Sequence, residues 1–420
     1  MLSLDFIRKN PDQVRRAGEL KGEAAPVDEV LRLDAEWREH QHQAEEMKAE
    51  QNRLSKTFAQ TRDESLKQRL GELSSRAKAE LAEADAVKER LDALLLQVPN
   101  VFDESVPVGE TEADNKAIRH WGTKPDLGFA ARTHYDLGEA LGIMDFERAA
   151  RVAGSRFAFL VGEGARLERA LVQFMLDVHT REHGYTEVWS PMVVNSASMV
   201  GTANLPKFAD QAFKIEERDL WLIPTAEVPV TNLHREEILD GERLPLKYVA
   251  YAPSWRTEAG AAGKDTRGFI RMHQFSKVEL VKVTTPETSM DEFEKLTRDA
   301  EDILQRLGLH YRVLLMCTGD MGFAQYKKYD LEAWAPGLDR YLEVSSCSVF
   351  RDFQARRANL RFRSGRGSSP EFAHTINGSG LALPRTLDAI METYQRADGM
   401  IAVPDVLKPY MGGVELIGAR

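Results

Sequence analysis

The chain has 420 residues, of which 43% are hydrophobic and 29% are charged. This length exceeds that of one ordinary domain, and this composition excludes a collagen-like or a wholly disordered protein. The formal net charge of −10 excludes a protein that is basic over its whole surface, so any nucleic-acid partner has to be recognised by a local patch of charge.

The sequence is typical of a protein of the reducing cytoplasm. Its longest apolar runs, such as residues 157–161, hold five residues, whereas a membrane-spanning helix needs about 20. The first twenty residues carry Asp5 and Asp12 and lack the apolar core of a secretory signal. Cys317 and Cys347 are too few for a disulfide scaffold or a cysteine-based zinc cluster. We therefore expect a cytoplasmic protein that has no membrane partner.

The N-terminal quarter predicts two long helices that follow a short helical lead over residues 1–28. Two patterns place mostly apolar residues at alternating intervals of three and four, and only His40, Gln51 and Glu80 in them are polar. This heptad period predicts paired helices, and the short turn near residues 60–64 requires that they run antiparallel. The patterns comprise Val30, Leu33, Trp37, His40, Ala44, Met47, Gln51, Leu54 and Phe58, and then Leu66, Leu70, Leu73, Ala77, Glu80, Ala84, Val87, Leu91, Leu94 and Val98.

The turn between the two helices is locally basic. Residues 53–78 hold seven basic and three acidic residues, which gives a local charge of +4. Phosphate binding is one interpretation, and a solvated coiled-coil surface with paired charges is the other. A nucleic acid bound here would be recognised through its shape and backbone. The basic residues of this segment, which we call the arm tip, are Arg53, Lys56, Arg62, Lys67, Arg69, Arg76 and Lys78.

The rest of the chain predicts an α+β fold. Residues 99–125 are rich in proline, glycine and acidic residues and are typical of a linker. Strands with hairpin-length connections then predict an antiparallel sheet flanked by helices, and neither a P-loop nor a dinucleotide-binding glycine motif is found. Helical patterns cover residues 167–183 and 286–307, and strand-like patterns cover residues 186–189, 247–251, 275–283 and 311–316.

Three segments carry residues that suit phosphate and metal chemistry. Arg256 and Arg271 lie near the two ends of a strand–loop–strand segment whose loop is glycine-rich, and the planar guanidinium suits phosphate oxygens. Glu343 and Ser346 could share Mg²⁺ only if their strand bends, because residues three apart on a regular strand face opposite sides. A glycine-containing segment over residues 377–385 ends with Arg385 at the start of a predicted helix.

Taken together, these segments resemble the seryl-tRNA synthetases, a family of class II aminoacyl-tRNA synthetases. Residues 255–258 and 271–275 resemble motif 2, residues 378–385 resemble motif 3, and residues 187–191 resemble motif 1, whose proline lies at a dimer interface in that class. The Thr225-Ala226-Glu227 segment matches the family's amino-acid-binding loop. The resemblance implies a tRNA-binding domain over residues 1–110, with its coiled-coil arm at about 30–98. It also implies a class II catalytic domain over residues 111–420.

The resemblance also implies roles for individual residues. The implied catalytic residues are Arg256, Glu258, Arg271 and Arg385. The implied ATP-binding residues are Arg256, Thr257, Glu258, Arg271, Met272, Phe275, Glu343, Val344, Ser345, Ser346 and Arg385. The implied serine-binding residues are Thr225, Ala226, Glu227, Arg256, Glu279 and Ser379. Glu343 and Ser346 are the implied Mg²⁺ ligands, and the seven basic residues of the arm tip are the implied tRNA contacts.

The implied reaction activates L-serine with ATP to seryl-adenylate and pyrophosphate and then transfers serine to the 3′ end of tRNA(Ser). The selenocysteine tRNA, tRNA(Sec), is a second candidate acceptor. We expect a homodimer that uses Mg²⁺ and no zinc. Three alternatives are a paralogue that loads a carrier protein, a non-catalytic RNA-binding scaffold, and a synthetase for another amino acid. The long arm argues against the first alternative, and the intact arginines and carboxylates argue against the second. The Thr225-Ala226-Glu227 segment argues against the third.

Overall fold

The computed structural model describes residues 1–259 and 267–418, so the Ala261-Ala262 part of the predicted motif 2 loop lies outside the described residues. The chain forms two compact units, Met1–Val101 and Phe102–Arg420. The sequence had placed this boundary after residue 110. The carbonyl groups of Pro107 and Gly109 accept backbone hydrogen bonds from Thr318 and Gly319, so this stretch packs with the second unit.

The first unit is helical, and the predicted antiparallel pair is confirmed. Arg62 ends the first long helix in a left-handed conformation, and the Asp63 side chain caps the second by accepting from the Ser65 amide. The residues of both heptad patterns are buried or half-buried. A continuous buried stripe therefore holds the two helices together. The helices are α1 (Leu4–Lys9), α2 (Pro11–Lys21), α3 (Val27–Thr61) and α4 (Glu64–Leu95).

The second unit is built on an eight-stranded sheet, as the predicted α+β fold requires. All neighbouring strands of this sheet are antiparallel except Thr186–Glu187 and Leu246–Trp255, which pair in parallel. In spatial order the strands are β1 (Lys116–Trp121), β11 (Tyr311–Leu315), β12 (Lys327–Ala335), β13 (Arg340–Arg351), β16 (His374–Ala382), β10 (Gln274–Thr284), β9 (Leu246–Trp255) and β4 (Thr186–Glu187).

Shorter strands and the helices complete this unit. The short strands are β2 (Met144–Asp145), β3 (Phe159–Leu160), β5 (Val193–Val194), β6 (Lys214–Ile215), β7 (Leu220–Leu222), β8 (Ile238–Asp240), β14 (Arg361–Arg363), β15 (Glu371–Phe372), β17 (Ile401–Ala402) and β18 (Leu416–Ile417). The helices are α5 (His134–Ala140), α6 (Phe146–Ala153), α7 (Glu163–Arg181), α8 (Ser196–Gly201), α9 (Glu227–Thr231), α10 (Ser289–Arg306), α11 (Phe353–Ala358) and α12 (Leu383–Thr393).

The main core lies where α7, α10 and α12 pack against the large sheet. Leu171 of α7, Leu296 of α10 and Ile390 of α12 are fully buried in it. Because strand side chains alternate between the two faces, this packing leaves the other face of the central strands to line a site. Within residues 1–259 and 267–418, no helix combines the length and apolarity that a membrane crossing requires.

Candidate active site

A cavity of about 340 Å³ lies over the central strands of the large sheet. Strand alternation positions its floor: Phe275, Lys277 and Glu279 of β10 line the cavity, whereas Val278 and Leu280 between and beyond them belong to the core. A strand with one face in the core and the other in the cavity holds its polar side chains rigidly. The cavity is therefore built on sheet residues rather than on loops alone.

The cavity brings together most of the residues that the sequence had singled out. They come from segments spread over 160 positions of the chain, from residue 225 to residue 385. Four predicted residues are not among the described lining residues, namely Thr257, Ala226, Val344 and Ser345. The predicted residues that line it are Thr225, Glu227, Arg256, Glu258, Arg271, Met272, Phe275, Glu279, Glu343, Ser346, Ser379 and Arg385.

Each of these four residues has another place in the structure. The Thr257 hydroxyl donates to the Asp210 carbonyl at 2.6 Å, and the Ser345 hydroxyl donates to the Ser379 carbonyl at 2.6 Å. Ala226 and Val344 are buried among apolar residues. Their side chains therefore support the neighbouring strands and helices, so a contact with a ligand would have to come through the backbone.

Glu343 and Ser346 face the same cavity because β13 contains a bulge. Glu343 pairs with Glu332 and Ser345 pairs with Leu331, so Val344 has no partner residue on β12. The extra residue shifts the alternation of side chains by one position, so Ser346 faces the same side of the sheet as Glu343. This is the bend that the sequence required if the two side chains were to share a cation.

Three arginines form the basic part of the cavity. The Arg256 guanidinium lies 5.1 Å from the centre of the Phe275 ring, and its Nε donates to the Pro224 carbonyl at 3.2 Å. Arg271 Nη1 donates to Glu258 Oε2 at 2.7 Å. Arg385 Nη1 donates to the carbonyl and, at 3.2 Å, to the carboxylate of Glu343. Such planar donors, held at one site, suit the oxygens of a phosphate-bearing ligand.

Glu343 is suited to hold a hard cation. Burial alone would raise the pKa of its carboxyl group, but Arg385, Lys328 and Arg256 together hold that pKa below its ordinary value. The group is therefore ionised at neutral pH and offers oxygen ligands beside the Ser346 hydroxyl. Mg²⁺ commonly takes one or two protein carboxylates and completes its shell with phosphates and water, so these two residues fit it. Among the described residues, no group of three or more His, Cys, Asp or Glu side chains forms a metal site.

The other end of the cavity is acidic and hydroxyl-rich. Thr225, Glu227, Glu279 and Ser379 line it, and Glu279 lies directly across from Ser379 in the β10–β16 ladder. Lys277 Nζ lies 2.5 Å from Glu279 Oε2. Burial, with Glu279 nearby, raises the pKa of Glu227 to about 7. This end suits a small cation that also carries a hydroxyl group, because buried acids favour a positively charged partner.

Sequence reasoning missed several residues that line the cavity. Alternation would have found Lys277 along β10, Asn377 along β16 and Ser348 along β13, because each lies two positions from a predicted residue. Phe269, Ile270, Ala382 and Pro384 lie within three positions of Arg271 or Arg385 in the sequence. Gln325 and Lys328 come from a segment that holds no predicted site residue, so their place in the cavity follows from how distant segments meet.

Comparisons with known proteins identify the family of this chain. The family model described as tRNA synthetase class II core domain (G, H, P, S and T) matches residues 211–394. The model described as seryl-tRNA synthetase N-terminal domain matches residues 1–102. A serine–tRNA ligase of Pelotomaculum thermopropionicum is 53% identical over 425 residues, which cover 100% of both chains.

Two solved structures are similar over nearly the whole chain. The seryl-tRNA synthetase of Pyrococcus horikoshii, complexed with ATP, superposes with a TM-score of 0.95 at 39% identity and 99% coverage of both chains. The cytoplasmic serine–tRNA ligase of Naegleria fowleri, in complex with AMP, gives a TM-score of 0.87 at 34% identity, covering 97% of this chain and 95% of that one. Because these similarities extend over its full length, the chain belongs to the seryl-tRNA synthetase family.

Proposed function

We propose that this chain is a serine–tRNA ligase, which activates L-serine with ATP and transfers it to tRNA(Ser). The observation that carries the proposal is one cavity lined both by three arginines, which suit phosphate oxygens, and by acidic and hydroxyl groups. The full-length relative that is named a serine–tRNA ligase supports it, as do the similar structures complexed with ATP and AMP. The two ends of the cavity match the two substrates of the first half-reaction.

In the proposed first step, a carboxylate oxygen of serine attacks the α-phosphorus of ATP, and pyrophosphate leaves. No protein nucleophile takes part, so positioning and charge neutralisation supply the catalysis. Arg256 neutralises the charge that grows on the α-phosphate, and Arg271 binds the outer phosphate. Arg385 and Phe275 enclose the adenine ring by stacking, and Glu258 accepts from its amino group.

Glu343 and Ser346 are the residues that would hold Mg²⁺ in this scheme. The cation supplies charge neutralisation to the phosphates when it is bound. Glu343 Oε2 already lies 3.2 Å from the Arg385 guanidinium, so an arginine and a carboxylate meet where the phosphates and the adenine would adjoin. The reaction as proposed uses no zinc.

At the other end of the cavity, Glu227 and Thr225 receive the α-ammonium group of serine, while Glu279 and Ser379 bind its hydroxyl. A site that hydrogen-bonds a hydroxyl rejects alanine strongly, because alanine would leave the buried polar groups of the site without partners. Arg256 also contacts the serine carboxylate and so aligns it with ATP.

The second step transfers serine to the 3′ end of tRNA(Ser). We propose that the arm tip binds the tRNA through its phosphates, that the enzyme acts as a homodimer in the cytoplasm, and that tRNA(Sec) is a second candidate acceptor. All seven basic residues of the arm tip are exposed, which supports contact with an extended RNA.

Amino-acid-dependent ATP–pyrophosphate exchange without tRNA tests the first step. Serine, threonine, alanine and glycine are each supplied to the full-length protein, and we expect exchange driven chiefly by serine. Exchange driven by a different amino acid would support the proposed type of reaction but show that serine is not the substrate. A folded protein without exchange would favour the RNA-binding scaffold instead.

A further inference from the structure

Gln354 connects the cavity to a buried hydroxyl behind it. This residue of α11 is 1% exposed and is not among the described residues that line the cavity. Its Nε2 donates to Glu227 Oε1 at 2.7 Å, and its Oε1 accepts from the Thr375 hydroxyl, also at 2.7 Å. Thr375, on β16, is likewise 1% exposed. The three side chains form a short hydrogen-bonded relay that ends at the cavity.

The chemistry of the relay determines the orientation of the amide. When the Glu227 carboxylate is ionised it only accepts hydrogen bonds, so the NH₂ group of Gln354 then has to face Glu227 and its oxygen faces Thr375, as the structure shows. The Thr375 hydroxyl donates to that oxygen, so this orientation of the amide satisfies its polar groups at both ends. Glu227 therefore accepts a hydrogen bond from an amide whose position is fixed by Thr375.

The charged groups around Glu227 act on the pKa of its carboxyl group in opposite directions. Glu279 of β10 faces it with a like charge, while Lys277 of β10 and Arg256 at the end of β9 face it with opposite charges. Burial and Glu279 raise the pKa of Glu227, and the hydrogen bond from Gln354 comes first among the influences that lower it, ahead of Lys277 and Arg256. Without Gln354 the carboxyl group would hold its proton to higher pH.

We propose that Gln354 is a positioning residue for substrate recognition, which aims the Glu227 carboxylate and keeps it available to a cationic group of the amino-acid substrate. This inference rests on the proposed function, in which the cation is the α-ammonium of serine. A glutamate side chain loses considerable rotamer freedom when it is fixed, so holding it in place before serine binds favours binding. ATP recognition does not involve this relay.

The test compares Gln354→Met with the unchanged full-length protein in serine-dependent pyrophosphate exchange. We expect the KM for serine to rise about tenfold or more, with kcat and the KM for ATP little changed. The acid limb of kcat/KM for serine should also move to higher pH. Gln395→Met is the matched control, because Gln395 is a buried amide that bonds to Arg132 and Glu392 rather than to Glu227. This control should leave both quantities unchanged.

Two further variants make the outcome decisive. Thr375→Val removes the anchor but leaves the amide, so it should shift the serine KM in the same direction by a smaller factor. If Gln354→Met does not fold, Gln354→Asn replaces it, since its amide is one methylene too short to reach Glu227. An unchanged serine KM and pH profile in a folded Gln354 variant overturns the proposal, as does an equal rise in both KM values.

Glu227→Gln separates failure of this inference from failure of the proposed function. If Glu227→Gln raises the serine KM and abolishes the acid limb but the Gln354 variants do neither, only the positioning role is wrong. If Glu227→Gln itself leaves serine recognition unchanged, the assignment of Glu227 as the ammonium-binding residue is wrong, and the positioning role is overturned with it.

Discussion

His40 and Glu80 are the two polar residues that face each other across the apolar stripe of the coiled-coil arm, with His40 Nδ1 2.7 Å from Glu80 Oε2. Both side chains are half-buried. The hydrogen bond that protonated His40 donates to Glu80, opposed by some burial, raises the pKa of His40 above its ordinary value. A single polar pair in an apolar seam favours one register of the two helices, because a shifted register would leave both groups without partners.

The first prediction is that the arm loses stability as pH rises through the raised pKa of His40. The folded arm binds the His40 proton more tightly than the unfolded arm, so the stabilisation is complete below about pH 6.5 and is lost above the folded pKa. The protection factors of the α3 and α4 amides, in which the intrinsic rise of exchange with pH is divided out, should therefore be smaller at alkaline than at mildly acidic pH. His40→Asn should remove this dependence.

His42→Asn is the control for this measurement, because His42 is exposed and its one acidic partner within 4.0 Å, among the described residues, is Glu46 of its own helix, at 3.5 Å. It should leave the pH dependence as it is in the unchanged protein. Equal pH dependence in the unchanged protein and in His40→Asn would contradict the prediction.

The second prediction concerns the arm tip. Lys67 and Arg69 have acidic partners, whereas five other basic residues have no ion pair within 4.0 Å among the described residues. Replacing these five by glutamine should reduce kcat/KM for tRNA and flatten its dependence on salt by about 0.7–0.9 per lost phosphate contact. Pyrophosphate exchange should not change. The five are Arg53, Lys56, Arg62, Arg76 and Lys78.

Variants that remove negative charge from the arm tip provide the control. Glu64→Gln and Glu72→Gln make the arm tip more basic, so together they should strengthen tRNA binding and steepen its salt dependence. Weaker aminoacylation from both sets of variants would indicate damage to the arm rather than loss of charge.

The third prediction concerns Trp189, whose side chain is 84% exposed in the single chain. So large an exposed aromatic residue, two positions before the predicted motif 1 proline Pro191, favours contact with a second copy of the chain. The protein should have a mass near twice 47.3 kDa by light scattering. Trp189→Asp should move it toward the monomer.

Val152→Asp serves as the comparison, because Val152 is 74% exposed and lies outside the motif 1 segment. It should leave the mass unchanged. A mass of 47.3 kDa for the unchanged protein at every concentration would show that the predicted homodimer does not form.

The fourth prediction is that Glu279→Gln lowers the selectivity for serine over alanine. A hydrogen bond to a charged group contributes about 1.5–3 kcal/mol, which is roughly tenfold or more in kcat/KM. Alanine has no hydroxyl group and cannot form this hydrogen bond, so the substitution should change the exchange rate with alanine less. Glu301→Gln, which alters a buried acid paired with Arg119, controls for general loss of packing and should keep the ratio. Equal losses for both amino acids would contradict the role of Glu279.

The fifth prediction concerns a buried acid in α12. Neither carboxylate oxygen of Asp388 has a hydrogen-bond partner among the residues that the structure describes, and His134 Nε2 lies 3.5 Å from Asp388 Oδ1. Burial raises the pKa of Asp388 to about 7, although His134 opposes this. The folded protein thus holds a proton that the unfolded chain releases near pH 4, so the contribution of Asp388 to stability falls as pH rises from about 4 to 7.

Asp388→Asn should flatten that fall, measured as the free energy of unfolding in urea across this pH range. The expected difference is a few kcal/mol at most, from about 1.4 kcal/mol per pKa unit. Asp398→Asn is the comparison, since Asp398 is exposed and the pKa of its carboxyl group is lowered. Parallel pH curves for the unchanged protein and Asp388→Asn would refute this account.

The sequence by itself determined the features that repeat over a few residues. The heptad patterns of α3 and α4 predicted the arm and its turn, because a residue in a helix meets its neighbours three and four positions away. Strand-like patterns predicted the strands that became β4, β9, β10 and β11. The motif resemblance predicted which residues gather at the site, and the structure brings twelve of them to one cavity.

Only the tertiary structure decided which side of the sheet those side chains face and which distant residues they contact. The bulge at Val344, which aims Glu343 and Ser346 at one cavity, depends on the partner strand β12 and has no signal in β13 alone. Gln354 meets Glu227 across 127 positions of sequence. Local periodicity describes contacts between near neighbours, whereas strand register and buried polar relays are decided by the packing of distant segments, where unpaired groups are costly.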